Sequence, residues 1–204
     1  MNRREFHKAT GVVFAVVVLT LYSNSGHAAD PPSVTVLVTY HSASGNTEKM
    51  AQGVAEGAKA VTGTSVILKR VGEVASNDLT SSDAVIVGSP VYLGNMSGEV
   101  KTFFDNWSLK FGLRAREHKM RNKVGAAFAT GESVSGGKEV TMLTILAAML
   151  GREMIVVSSG GAFGASATTG PDSPGIDDKE LAAARDLGKR VAEIAAVVKR
   201  GSNK

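Results

Sequence analysis

The sequence predicts a doubly wound α/β domain, one parallel sheet covered by helices on both faces, and three observations carry that expectation. Short apolar runs recur at 34–39, 65–68, 84–87, 124–128 and 154–157. None alternates cleanly between apolar and polar residues, which is the pattern of strands buried on both sides. Segments with helical spacing lie between them, and strands alternating with helices form a parallel sheet through right-handed crossovers.

Each element has its own warrant. The strand at 34–39 leads into a helix from Thr47 that sets Met50, Val54 and Val61 on one side. The strand at 65–68 follows. After the strand at 84–87, Val100, Phe103, Phe104 and Trp107 fall at i, i+3, i+4 and i+7, one face of a helix. The strand at 124–128 precedes a helix over 139–150 that is apolar nearly all round and therefore deeply packed. The strand at 154–157 is followed by a small-residue segment and a last helix striped by Leu187, Val191, Ile194 and Val198. Asp172, Asp177 and Asp178 are expected to set turns and the N-terminus of that helix rather than to hold a metal.

A chain of 204 residues is enough for one substantial core and short for two. Cysteine is absent, which excludes disulfides, thiolate metal sites and cysteine nucleophiles together. Neither a Gly-x-Ser-x-Gly elbow nor a Ser, His and Asp arrangement in hydrolase order occurs.

Residues 1–28 differ in kind from the rest. Arg3, Arg4 and Lys8 precede an apolar stretch from 11 to 22, and small residues follow through Ala28 and Ala29, the layout of an export signal. Arg3-Arg4-Glu5-Phe6-His7-Lys8 resembles the twin-arginine pattern Arg-Arg-x-Phe-x-Lys, with Asn2 where Ser or Thr is usual. That route carries folded and often cofactor-loaded proteins, so the mature domain, 29–204, is expected to be exported and periplasmic. Loss of 1–28 removes three basic residues and one acidic residue, so the formal charge of +4 falls by two. Much of the basic excess is thus targeting sequence, and nucleic-acid binding loses its support.

In a doubly wound sheet the ligand crevice lies at the carboxyl ends of the strands, where strand order reverses. The first loop there reads "SASGNT", and a helix N-terminus follows it. Exposed N–H groups and the helix dipole favour an anion, Gly45 permits close approach, and Ser42, Ser44 and Thr47 add hydroxyls, with Asn46 between them. A capping turn explains the same residues equally well. No lysine lies inside the loop and no three-glycine spacing occurs, so neither a P-loop nor a dinucleotide fingerprint fits. A monophosphate remains. The second loop, in 88–107, turns through Ser89 and Pro90 and enters a helix near Ser97; Tyr92 and Leu93 offer an apolar wall. The third, at 129–139, is Gly-rich, and Gly136-Gly137 admits close packing before the next helix.

The first loop resembles the phosphate loop of flavodoxin-like FMN proteins. The second, with Gly94-Asn95-Met96-Ser97-Gly98, resembles that of the tryptophan-repressor-binding-protein family of FMN-dependent NAD(P)H:quinone oxidoreductases. The likeness runs from Val34 to Val198. It implies a flavodoxin-like five-stranded parallel sheet of order 2-1-3-4-5, FMN as cofactor, NADH or NADPH as donor, a quinone or similar acceptor, and a homo-oligomer. By resemblance, Ser42, Ser44, Gly45, Asn46 and Thr47 meet the phosphate, and backbone groups of Pro90, Val91, Tyr92 and Leu93 meet the flavin ring. Gly94 and the Asn95 side chain pack along its edge, and Thr130, Gly131, Glu132 and Ser133 approach it from the third loop.

This chain departs from the family at 148–152, where a histidine pair is usual and "AMLGR" stands instead, and at 107–122, which does not align cleanly. Arg114, Arg116, Lys119, Arg121 and Lys123 read as a solvated stretch or as an attractor for dinucleotide phosphates. The alternative function is a flavodoxin-type electron carrier without its own NAD(P)H step. Such carriers tend to be acidic and to sandwich the flavin between aromatic side chains, and the third loop here has no aromatic residue.

Overall fold

The computed structural model describes residues 33–202 except Gly160, Asp172 and Pro174; the expected export signal lies outside the described residues. Strands β1 (Val34–Tyr40), β2 (Thr64–Arg70), β3 (Ala84–Tyr92), β4 (Asn95–Met96), β5 (Val124–Gly131), β6 (Ile155–Val156) and β7 (Ala165–Thr168) form one sheet. Its path is β2-β1-β3-β5-β6, with β4 on β3 and β7 on β5. Except for the antiparallel β3–β4 pair, every pairing is parallel. This is the expected doubly wound order with two refinements.

First, the expected fifth strand is in two pieces. β6 pairs with Val124 and Gly125, and β7 with Phe128 to Gly131 further along the same neighbour. Apolar runs could not reveal β7, because "ASAT" buries only the small Ala165 and Ala167 beneath a helix. Second, the expected turn at Ser89 and Pro90 is strand. β3 continues to Tyr92 and folds back through Leu93 and Gly94 onto β4. Both turn residues have positive φ, 49° and 79°, as a two-residue hairpin needs.

Helices α1 (Asn46–Lys59), α2 (Ser76–Ser81), α3 (Gly98–Leu109), α4 (Lys138–Leu150) and α5 (Asp178–Ser202) cover the two faces. Alternate residues of the central strands face opposite layers, which is why the strands read as continuously apolar. Val36, Val38, Ile86, Ala126 and Phe128 pack with Met50 and Val54 of α1 and with Leu187 and Val191 of α5. Leu37, Val85, Val87 and Ala127 pack with Phe103 and Trp107 of α3 and with Ile145 and Met149 of α4. The β2 edge is half-exposed and ends in Lys69 and Arg70, charges that discourage edge-to-edge association. Asp177 caps α5: its Oδ1 accepts from Glu180 N–H at 2.9 Å, and Glu180 Oε2 accepts from Asp177 N–H at 3.3 Å.

α1 and α5 touch backbone to backbone. A Cβ at Gly57 would stand 1.9 Å from the Arg185 carbonyl oxygen, and one at Gly188 would stand 1.9 Å from that of Val54. Alanine is the better helix former by about 1 kcal/mol, but the overlap forces the helices apart, and overpacking of this kind costs about 1–3 kcal/mol. Overpacking wins. Gly188→Ala is expected to lower the urea midpoint with an unchanged m-value.

The basic stretch lies at the amino edge of the sheet, at the start of β5. Lys123 donates to the Thr80 carbonyl at 2.9 Å and to that of Ser82. Lys119 pairs with Glu117 at 2.8 Å, while Arg121 and His118 each reach Glu153 at 2.6 Å. Lys119, Arg121 and Lys123 are therefore committed locally, at the end of the strands opposite the loops that follow β1, β3 and β5. The Arg121 guanidinium, helped by His118, holds the Glu153 carboxyl down at about 2, from an ordinary 4.5. A depressed carboxylate stabilises the fold above its ordinary value, and that contribution is lost as pH falls from 4.5 through about 2. Urea melts of wild type and Glu153→Gln are expected to differ at pH 6 and to converge across that window.

Candidate functional site

The loops after β1, β3 and β5 meet at the carboxyl edge of the sheet. Register brings them level: Tyr40 lies opposite Gly88, and Pro90 opposite Thr130. Between them opens a crevice of about 750 Å³, within the range of small-molecule sites. Ala43, Ser44, Asn46 and Thr47 line one end; Pro90 to Gly94 form one wall; Thr130 to Ser133, with Gly136 and Thr169, form the other.

The first loop is a turn closed on itself, in which Gly45 N–H donates to Ser42 Oγ at 3.1 Å. Gly45, at φ 90°, is the N-cap of α1 and makes no side-chain cap. The N–H groups of Asn46 and Thr47 consequently meet no acceptor among the described residues, at the positive end of a 14-residue helix. Ser42 is buried beneath the turn and does not line the crevice. Its carbonyl accepts from Arg70 at 2.8 Å, and Arg70 also pairs with Glu48 at 2.5 Å and lies over the Tyr40 ring at 5.4 Å. Arg70 thus braces the loop from the end of β2. Burial, reinforced by Glu48, pushes the Tyr40 phenol up.

In the second loop Ser89 is fully buried; its hydroxyl donates to the Pro90 carbonyl at 2.8 Å and accepts from Ser97 N–H at 2.9 Å. Ser97 caps α3 by accepting from Val100 N–H. The hairpin between is pinned at its base while its tip is exposed: Leu93 is fully accessible and Tyr92 is 45% exposed. Asn95 departs from expectation. Its Oδ1 accepts from Met96 N–H at 2.7 Å and from the Thr144 hydroxyl at 2.6 Å, so the side chain is turned to α4 and lies outside the crevice. A residue opposite Tyr92 in a two-residue hairpin must follow the pleat, and only the hairpin's geometry shows this. Behind this loop Glu99 sits 3.6 Å from His41. Its own N–H, with the Ser97 hydroxyl and His41, holds its carboxyl below the usual range.

The third loop is bonded to the first through the hydroxyls of Thr47 and Thr130, both buried, 2.8 Å apart. It also touches the second: a Cβ on Gly137 would stand 2.9 Å from the Gly94 carbonyl oxygen. Sequence reasoning found Gly136-Gly137 as a place of close packing; its partner, the tip of the second loop, is a tertiary fact. Thr169 was missed because it arrives from β7, with its N–H donating to the Gly131 carbonyl at 2.9 Å. Residues 148–152 end α4, a whole helix away from the crevice.

The donor set suits a phosphate monoester joined to a flat ring. Free helix-terminal N–H groups and the Ser44 hydroxyl suit the phosphate, and two loops rich in backbone amides and carrying Tyr92 and Leu93 suit a ring such as the flavin of FMN. Gly137→Val is expected to wedge the second and third loops apart and weaken FMN binding at least tenfold in fluorescence-quenching titrations. Gly45→Val, whose Cβ meets nothing, is expected to act through its φ and disturb chiefly the phosphate end.

Comparison with known proteins agrees with this geometry. The model of the NADPH-dependent FMN reductase family matches residues 32–169. A NAD(P)H dehydrogenase (quinone) of Geotalea daltonii is 34% identical over 200 residues, covering 78% of this chain and 96% of the relative. Its namesake in Archaeoglobus fulgidus is 34% identical over 194 residues with the same coverage. Among solved structures, a WrbA-like flavodoxin from Agrobacterium tumefaciens superposes with a TM-score of 0.66 at 29% identity, over 80% of this chain and 98% of that one. The strand order, the three converging loops and the matched span together place the chain in the NADPH-dependent FMN reductase family, on the flavodoxin-like fold.

Proposed function

We propose that the protein is an FMN-dependent oxidoreductase that accepts a hydride from NAD(P)H and passes the electrons to a quinone or a chemically similar acceptor. The observation that carries this reading is the crevice itself, which joins an uncapped helix N-terminus to two facing loops at the switch between β1 and β3. The names of the curated relatives support the quinone.

FMN supplies the hydride and electron chemistry when bound; the chain's own residues bind, orient and shield. Asn46 and Thr47 N–H groups with the Ser44 hydroxyl hold the phosphate. The Thr47–Thr130 hydroxyl pair fixes the spacing between that anchor and the third loop. Tyr92 and Leu93 cover a ring face against water, and the backbone of Gly131 to Ser133 offers hydrogen-bonding groups to its polar edge.

We also propose that the twin-arginine-like segment exports the folded, loaded protein and that the mature domain acts outside the cytoplasm as a homo-oligomer. The exposed Val140, Leu143 and Leu150 on α4 support self-association.

The purified mature domain is expected to bind one FMN, to lose the flavin's visible absorbance with NADPH or NADH under anaerobic conditions, and to recover its colour on adding benzoquinone. Bleaching by dithionite alone would identify an electron carrier instead. Intact mass of the protein from the periplasmic fraction tests export separately: cleavage after Ala28 or Ala29 supports it, and a full-length cytoplasmic chain overturns it.

A further inference from the structure

Lys138 stands in the first turn of α4, only 4% exposed. Its ammonium donates to the carbonyls of Ser133 at 2.7 Å and Val134 at 3.2 Å and to the Thr168 hydroxyl at 3.0 Å, three acceptors for three protons. No carboxylate among the described residues lies within 4.0 Å of it. A buried cation with no anion beside it is costly, and an opposite charge brought near it offsets that cost.

One contact ties the charge to the crevice. The stem of Lys138 packs against Gly131, a crevice residue, with Cγ 3.1 Å from where a Cβ would stand. The carbonyls of Ser133 and Val134 are both turned to the ammonium. Across planar trans peptides the N–H groups of Val134 and Ser135 then point to the other side of the loop, and they meet no acceptor among the described residues. The lysine thus holds the loop with its donors free.

We propose that Lys138 is an electrostatic positioning residue that favours the reduced state of the bound cofactor. A hydride from NAD(P)H delivers two electrons and one proton to FMN and releases NAD(P)⁺, so the reduced cofactor carries one more negative charge than the oxidised one. A fixed buried cation behind the third loop stabilises that added charge. Glu132 at the crevice mouth opposes it weakly, because an exposed carboxylate is screened by water and salt. The proposal rests on the FMN reading of the crevice.

The test is spectroelectrochemical titration of FMN on wild type, Lys138→Gln and Lys138→Met, with thermal melts alongside. Glutamine keeps a donor for the loop carbonyls, whereas methionine keeps only the stem. Both are expected to weaken binding of reduced FMN relative to oxidised FMN at least tenfold, lowering the two-electron midpoint by about 30 mV or more. Lys101→Gln, an exposed lysine paired with Asp105 on α3, is expected to leave the midpoint unchanged. A normal midpoint in Lys138→Gln with FMN bound would overturn the proposal and leave the FMN reading intact. A shift confined to Lys138→Met would also overturn it, by showing that loop geometry rather than charge is responsible. Failure of the wild type to bind FMN would remove both readings.

Discussion

Parallel pairing of β1, β3 and β5 is the constraint on which the rest of the molecule depends. A parallel strand can be reached only by a crossover that returns the chain to the same end of the sheet, so each strand leaves its following loop at one common edge. The crossover after β1 passes over one face through α1 to β2, and that after β3 passes over the opposite face through α3 to β5. Two loops that diverge to opposite faces leave a gap between them. The crevice is therefore a product of topology before any side chain is chosen, and its residues are refinements of that gap.

The refinements are mostly backbone chemistry. An anion site is made by leaving α1 uncapped, since a cap side chain at position 45 would occupy the donors that a phosphate needs. The walls are set by contacts between loops: the Thr47–Thr130 hydroxyl pair joins first to third, and Gly137 against the Gly94 carbonyl joins third to second. Because each loop is braced by another, the site's geometry is a joint property of the three loops. Arg70 from β2 and Lys138 from α4 extend that bracing outward, the first under the phosphate loop and the second behind the third loop.

Sheet and helices were legible because their signal is local. Burial on both faces forces unbroken Val and Ile runs, and the α3 stripe of Val100, Phe103, Phe104 and Trp107 marks one helical face; all four are buried together. The first loop was legible as a turn between strand and helix, but its small residues suit a cap as well as an anion, and the uncapped N-terminus of α1 is visible only in the structure. The extra length of β3, the split of the last strand and the outward turn of Asn95 were not. Pro90 reads as a turn former in sequence, yet here it lies within β3, opposite Thr130 of the neighbouring strand that supplies the register. β7 contains no large apolar residue, so no hydrophobic pattern betrays it.

By itself the sequence determined the fold class and pointed to the three loops, because periodicity, glycine placement and helix ends act over a few residues at a time, while the ligand was implied by the resemblance of the loop motifs. Only the tertiary structure decided which residues share the crevice, that Thr169 joins it and Asn95 leaves it, and that Lys138 is buried behind it with no carboxylate partner among the described residues. Those facts join positions far apart in the chain, as Thr47 with Thr130 and Lys138 with Thr168 do. A contact of that range depends on the register of strands and the approach of helices, which short-range sequence patterns do not encode.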